Sequence, residues 1–285
     1  MNANKLHINM DKCCFIHFNP ETTEKFDYAG FQLKIGDEVI EKVTNTKFLG
    51  IFIDENLSWD VHINFLVKKL ACTIGILCQI KENIPTELHK NLYHTLFESH
   101  LTYCITSWGG VCDSKLKTLF KTQKKCIRIL FGDKQAYLNK FKTCCRTRPL
   151  GAQKLGQAFY EKEHSKPLFN KQEIMNVYNL YVYYCCNEVL KIMKFRTPIS
   201  MFNLFELSDL NPTLFVTPNP NLQFVYKASK IWNWARQVIM GKFDLNDYSL
   251  NMGAFKKFLK SHVLKSQCLG SSVEWNDYRD KLIMF

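Results

Sequence analysis

The amino-acid sequence predicts an α+β protein in which a small antiparallel sheet is followed by a mostly α-helical bundle and a helical C-terminal region. Three observations carry this prediction. Short β-prone runs separated by turn residues crowd into the first part of the chain, up to Glu55. At Ser58 the apolar spacing lengthens from that of a strand to that of a helix. Helical spacing then recurs toward the C-terminus, and at 285 residues there is chain enough for one large or two smaller cores.

The elements follow in order. "KCCFIHF", residues 12–18, is apolar and β-prone, closes on Asn19-Pro20 and reads as a strand. "FQLKIGDEVIEKV" holds two β-prone arms around Gly36-Asp37, a pair that a two-residue hairpin turn accepts readily. "KFLGIFID" reads as the next strand, with Asp54, Glu55 and Asn56 as its exit turn and Gly50 inside it. A glycine within a strand has no side chain to pack, and it marks a bend or a place where another backbone comes close.

From Ser58 onward, Trp59, Ile63, Leu66, Val67, Leu70, Ile74 and Leu77 recur at spacings of three and four, the pattern of one helix face. Ser58 can cap this helix, and Asp60 suits its first turn. Pro85 fits the first turn of a second helix with Leu88, Leu92, Leu96 and Tyr103 among its apolar positions. Asp113 or Ser114 opens a third, with Leu116, Leu119, Phe120, Ile127 and Leu130 inward and Gly132 as its stop. Lys115, Lys117, Lys121, Lys124, Lys125 and Arg128 fall around its remaining faces.

The irregular basic stretch "DKQAYLNKFKTCCRTRPLG" comes next. Helical periodicity returns in "EIMNVYNLYVYYCCNEVLKIMKF" and breaks at Pro198. "DLNPTLFVTPNPN", with three prolines, reads as a loop. Amphipathic segments at 231–240 and 255–263 close the chain. The expected organisation is a sheet region at 1–57, a helical domain at 58–132, a basic linker region at 133–172 and a mostly helical region at 173–285.

Charge narrows the partner class. The formal net charge is +12 with a pI near 9.1, which favours nucleic acid or another anionic surface. Residues 115–154 carry 12 Lys and Arg against a single acid, so nearly the whole excess sits in one segment. The opening residues, "MNANKLHINMDK", have no apolar core or cleavage site of a secretory signal, and the apolar runs elsewhere look too short and interrupted to span a bilayer. The expectation is a soluble intracellular protein, cytoplasmic or nuclear and not secreted, without a membrane partner.

The 12 cysteines would then be free thiols. Three pairs are vicinal, Cys13 with Cys14, Cys144 with Cys145 and Cys185 with Cys186, and none has structural-zinc spacing. G-x-S-x-G, a phosphate-cradling glycine loop and H-E-x-x-H are all missing. His62 lies beside the apolar stripe of the first helix and reads as a packing or capping residue. Trp59, Trp108, Trp232 and Trp234 each lie in amphipathic segments and read as core.

One ordered series of motifs goes further. A small sheet, "KFLGIFID", "LSWDVHI" opening a helix, the Tyr and Trp of "SHLTYCITSWGG", and the Gln-x-x-x-Ile-Arg of "QKKCIRIL" together resemble the C-terminal part of non-LTR (LINE-type) retrotransposon reverse transcriptases, notably the jockey-like group. The resemblance continues through "SKPLF", "RTPISMFNLFE", "IWNWARQVI" and "FKKFLKSHVL" and so covers almost the whole chain.

The resemblance implies roles. "INMDKCCFIHF" is similar to the motif after the catalytic hairpin, where the family has a lysine and then a small hydroxyl residue; Lys12 matches as a possible proton donor to pyrophosphate, and Cys13 departs from the hydroxyl. Lys12 reads equally well as a surface lysine at a strand entrance. Phe48, Leu49 and Gly50 resemble the primer grip, a hairpin whose backbone lies against the 3′ end of the growing strand. The helices from Ser58 would form the thumb, with Lys115, Lys117, Lys121, Lys124, Lys125 and Arg128 on the phosphates of an RNA and DNA primer-template duplex.

Two-metal nucleotidyl transfer needs clustered carboxylates, and this chain has no adjacent Asp pair. The expectation is therefore a truncated RNA-directed DNA polymerase that starts after its catalytic hairpin, with no metal site or cofactor of its own, Mg²⁺ belonging to the full-length polymerase. Two other readings stay open: a stand-alone basic nucleic-acid-binding protein, and a helical interaction protein with an acidic partner.

Overall fold

The structure is a computed structural model that describes residues 8–18, 31–132, 165–205, 223–239 and 251–269. The proline-rich loop expected at 209–221, and nearly all of the basic linker region, lie outside the described residues. The chain separates into two compact units, Met1–Leu66 and Val67–Phe285, and the division falls inside the first long helix. The fold is α+β.

Among the described residues of the first unit the β structure consists of β1 (Cys14–Phe15), β2 (Lys34–Ile35), β3 (Glu38–Val39), β4 (Glu41–Lys42), β5 (Asn45–Phe48) and β6 (Ile51–Asp54). They form three two-stranded pairs instead of one continuous sheet. β2 and β3 are antiparallel around the expected Gly36-Asp37 turn, with Gly36 at φ +62°. β1 and β4 run parallel, because the chain leaving β3 through Ile40 passes alongside β1 in the same direction. The strand expected over 12–18 is thus confined to Cys14 and Phe15.

β5 and β6 correct the reading of "KFLGIFID" as one strand. They are two arms of an antiparallel hairpin, with Phe48 opposite Ile51 and Leu49-Gly50 as the two-residue turn. Both turn residues have positive φ, +45° at Leu49 and +88° at Gly50, the combination that matches the twist of the flanking arms. Gly50 therefore turns the chain back on itself, with no Cβ to oppose the left-handed backbone. The turn was hidden because Leu, and not Asn or Asp, precedes the glycine.

α1 (Asp60–Ile80) begins where β6 ends. The expected cap lies one residue further on, since Trp59, at φ +64°, is the residue whose carbonyl accepts the first helical bond, from the Ile63 N–H at 2.9 Å, while Ser58 Oγ accepts from the Asp60 N–H at 3.3 Å. The buried carboxylate of Asp54 adds two shorter bonds, accepting from the N–H groups of Ser58 and Trp59 at 2.8 Å each. The expected stripe is buried: Ile63, Leu66, Leu70, Ile74 and Leu77. Asp60–Asn83 is nevertheless long and apolar enough, by length and composition, to cross a bilayer, which corrects the expectation that no run is. Ala71, Cys72, Ile76 and Cys78 raise the mean hydropathy on faces outside the buried stripe, a pattern that a helix packed on a core also shows.

The second unit is helical. After two short 3-10 turns come α2 (His89–Leu92), a π-helical segment Tyr93–Glu98, α3 (Ser99–Thr102) and α4 (Ile105–Trp108). Then follow α5 (Asp113–Phe131), α6 (Lys166–Lys171), α7 (Val177–Phe195), α8 (Ile199–Phe202), α9 (Gln223–Ile239) and α10 (Met252–Leu269). α7 is buried on most of its circumference, and α3, α4, α5, α8, α9 and α10 all pack against it. Trp108 and Trp232 are core residues, as is Trp59; the side chain of Trp234 lies outside the described residues.

The inward face of the second helical segment differs from the expected one. Leu88, Leu96 and Tyr103 are exposed and Leu92 is half-buried, while His89, Tyr93, Phe97, Leu101 and Ile105, at every fourth residue, form the core stripe. In an ordinary α-helix a strict four-residue repeat drifts around the axis. The wider π turn at Tyr93–Glu98 compensates for that drift and keeps the stripe on one side.

Candidate nucleic-acid interface

α5 carries the charge that the sequence singled out. Its core side is Leu116, Leu119, Gln123, Cys126, Ile127 and Leu130. On a wheel of about 3.6 residues per turn, Lys117, Lys121, Lys124 and Lys125 fall together on the far side, within an arc of about 100°. Lys117 and Lys121 are exposed, Lys124 and Lys125 half-buried. Lys115, also half-buried, stands apart from this stripe. Asp113 is the one acid on the helix, and it pairs with Lys117 one turn on while accepting from Tyr178 OH at 3.0 Å.

The stripe is electrostatically crowded. Burial first, and then the charges of Arg128 and Lys121, hold the Lys124 ammonium below its ordinary pKa. Lys124 Nζ lies 4.6 Å from the centroid of Phe120, whose ring meets Tyr178 edge-on and packs near Phe169. The ammonium of this half-buried lysine thus rests against an aromatic face. An anion placed here would relieve the mutual repulsion.

Arg128 requires a correction. Its angle puts it on the same stripe, yet it is only 8% exposed. Cys126 through Leu130 are all buried, so the last turn of α5 is enclosed on every side and periodicity no longer separates inside from outside. Arg128 belongs to the packed end of the helix and not to its open face. Nearby, Lys81 Nζ donates to the Ile129 carbonyl at 3.1 Å, and buried His89 places one ring nitrogen 3.2 Å from the Leu130 carbonyl.

Gln123, from the Gln-x-x-x-Ile-Arg series, has a structural task. Fully buried, its Nε2 donates to Tyr93 OH at 2.8 Å and to the Met175 carbonyl at 3.0 Å, and its Oε1 accepts from the Val177 N–H at 2.9 Å. One amide therefore ties α5 to the π segment and to the first residue of α7. The sequence does hold a signal for this: a lone amide at four-residue spacing between Leu119 and Ile127, on an otherwise apolar stripe.

Phe48, Leu49 and Gly50 lie in the first unit, at the tip of the β5–β6 hairpin. Phe48 is 58% and Leu49 74% exposed, and Gly50 is exposed too, so the turn stands open to solvent. The hairpin base is held by Phe52, whose ring packs on Phe65 at 5.0 Å between centroids, with Lys47 Nζ over both rings. His62 secures β6 from the helix side: its Nδ1 accepts from the Phe52 N–H at 3.4 Å. Burial holds the His62 pKa below its ordinary value, consistent with a neutral ring that accepts at Nδ1.

Lys12 is exposed and ends a single 3-10 turn, Met10–Lys12, directly before β1. Cys13 Sγ donates to the Asn9 carbonyl at 3.2 Å, so the thiol is used locally. Cys126, Cys185 and Cys186 are buried free thiols, and burial pushes Cys185 up to about 12. Cys144 and Cys145 lie outside the described residues. Among the described residues no group of three or more His, Cys, Asp or Glu is placed to hold a metal ion.

No protein-family profile, curated protein or solved structure matches the chain in the three comparisons made with known proteins.

Proposed function

We propose that this chain binds the sugar-phosphate backbone of a nucleic-acid duplex through the lysine stripe of α5, in the manner of the thumb of a LINE-type reverse transcriptase. The observation that carries the reading is the geometry of that helix: a continuous buried face on one side, four lysines on the other and one acid. Lysine point charges suit phosphates, which fix the position of a duplex without reading its sequence. The exposed Phe48-Leu49-Gly50 turn supports the same reading, because at Gly50 no side chain stands between the backbone and an approaching strand end. The partner is an RNA and DNA primer-template duplex inside the cell, and no step of nucleotidyl transfer is assigned to this chain's residues.

The test compares two polyanions. A short RNA–DNA hybrid and heparin are titrated against the purified chain at equal ionic strength, by fluorescence anisotropy. The reading expects tighter binding of the hybrid, and weaker hybrid binding by the Lys121→Gln, Lys124→Gln, Lys125→Gln triple variant. Equal affinity for both polyanions, or a triple variant that binds like the parent, overturns it; the first result favours an acidic protein partner instead.

A further inference from the structure

α10 carries a second row of exposed lysines. It carries Lys256, Lys257, Lys260 and Lys265 and no aspartate or glutamate. Phe255, Leu259 and Val263, four residues apart, are buried against the rest of the second unit, and Asn179 of α7 donates to the Val263 carbonyl at 3.5 Å. The four lysines are exposed, and no ion pair involves them among the described residues. Some bases on other helices do have an acid beside them: Asp113 pairs with Lys117, Glu188 with Lys191, Glu98 with His94.

Topology relates this face to α5. The short helix α6 packs against both α5 and α10, contributes an exposed Lys171 and a half-buried Lys166, and holds no acid. Lysines therefore recur from α5 across α6 to α10 within one compact unit, although the three segments are far apart in sequence. The charge tally of the sequence concealed this, since acids elsewhere in residues 155–285 dilute the local excess.

We infer that Lys256, Lys257 and Lys260 of α10 form a second phosphate-binding face, which engages the backbone of the same nucleic-acid duplex that α5 holds. The inference rests on the function proposed above. Charge complementarity decides the occupant: a row of compact ammonium groups one helical turn deep, without aromatic platforms or hydrogen-bond acceptors among them, fits the regularly spaced phosphates of a duplex.

The test uses the full chain with Lys256→Gln, Lys257→Gln and Lys260→Gln combined, and the hybrid duplex as probe, with affinity measured over a range of salt concentrations. The slope of log affinity against log salt should fall by nearly one for each lysine removed, to a total of about two to three, independently of the α5 triple variant. Lysine-selective acetylation of the unaltered chain gives a second reading that no folding defect can disturb: the three α10 lysines should be protected when the hybrid is added. An unchanged slope with the α5 variant still defective, or acetylation unaffected by the duplex, overturns the inference and leaves the α5 proposal standing. Failure of the unaltered chain to bind the hybrid overturns both.

Discussion

Gln123 sits on the buried stripe of α5 between Leu119 and Ile127 and satisfies three partners that have no route to water. Replacing it with alanine leaves a buried hydroxyl, carbonyl and N–H to be desolvated without return, and each such group costs about 1–3 kcal/mol. Gln123→Ala should therefore destabilise the helical unit by about 3 kcal/mol or more, seen as a fall in the urea midpoint. Gln123→Glu is the sharper control, since it keeps the acceptor for Val177 and loses both donors. If Gln123→Ala unfolded at the parent midpoint, the network would be an accident of packing. His62 illustrates the same scale in the first unit: a single ring nitrogen, kept neutral by burial, accepts the Phe52 N–H and fastens β6.

At the scale of elements, much was legible in the sequence, and the failures have physical causes. The change of period at Ser58, the Gly36-Asp37 hairpin, the start and stop of α5 and the long α7 all follow from local pattern. The inward face of α2 and α3 did not, because a π turn rotates the stripe and no single residue type announces one. The β5–β6 turn escaped because a leucine occupies a left-handed position that asparagine or aspartate takes more easily. This makes a prediction: Leu49→Asn relieves roughly 1 kcal/mol of backbone strain and should slow amide exchange across Thr46 to Ile53 several-fold. Exchange as fast as in the parent, or faster, would show that Leu49 is held there by something other than turn geometry. Of the charged stripe, four lysines were placed correctly outside, while Arg128 was not, because periodicity gives a direction and cannot say what lies over it.

Across the whole molecule, three histidines share one sign. Burial holds His62, His100 and His262 below the ordinary 6.5, aided by Lys69 at His100 and by Lys265 at His262. Below about pH 6.5 the unfolded chain binds protons that the folded chain refuses, so stability rises with pH in that range. The contribution is complete above the unfolded value and is lost as pH falls through 6.5 toward the folded values. The chemical-denaturation midpoint should therefore decline between neutral pH and about pH 5, and replacing His62 with glutamine, which stays neutral, should reduce that decline. A midpoint that rose on acidification would contradict the sign. Acid carries a second consequence, since a protonated His62 can no longer accept from Phe52 and the hairpin loses that hold.

The charge of the molecule converges on its central claim, that α5 meets phosphates. The most direct measurement is the affinity of the full chain for a short RNA–DNA hybrid as a function of salt, for the parent and for the variant in which Lys121, Lys124 and Lys125 are all glutamine. The parent should give a log–log line of negative slope and the variant a line flatter by about two to three, close to one unit for each phosphate contact removed. A parent line with no slope, or two parallel lines, would contradict the claim.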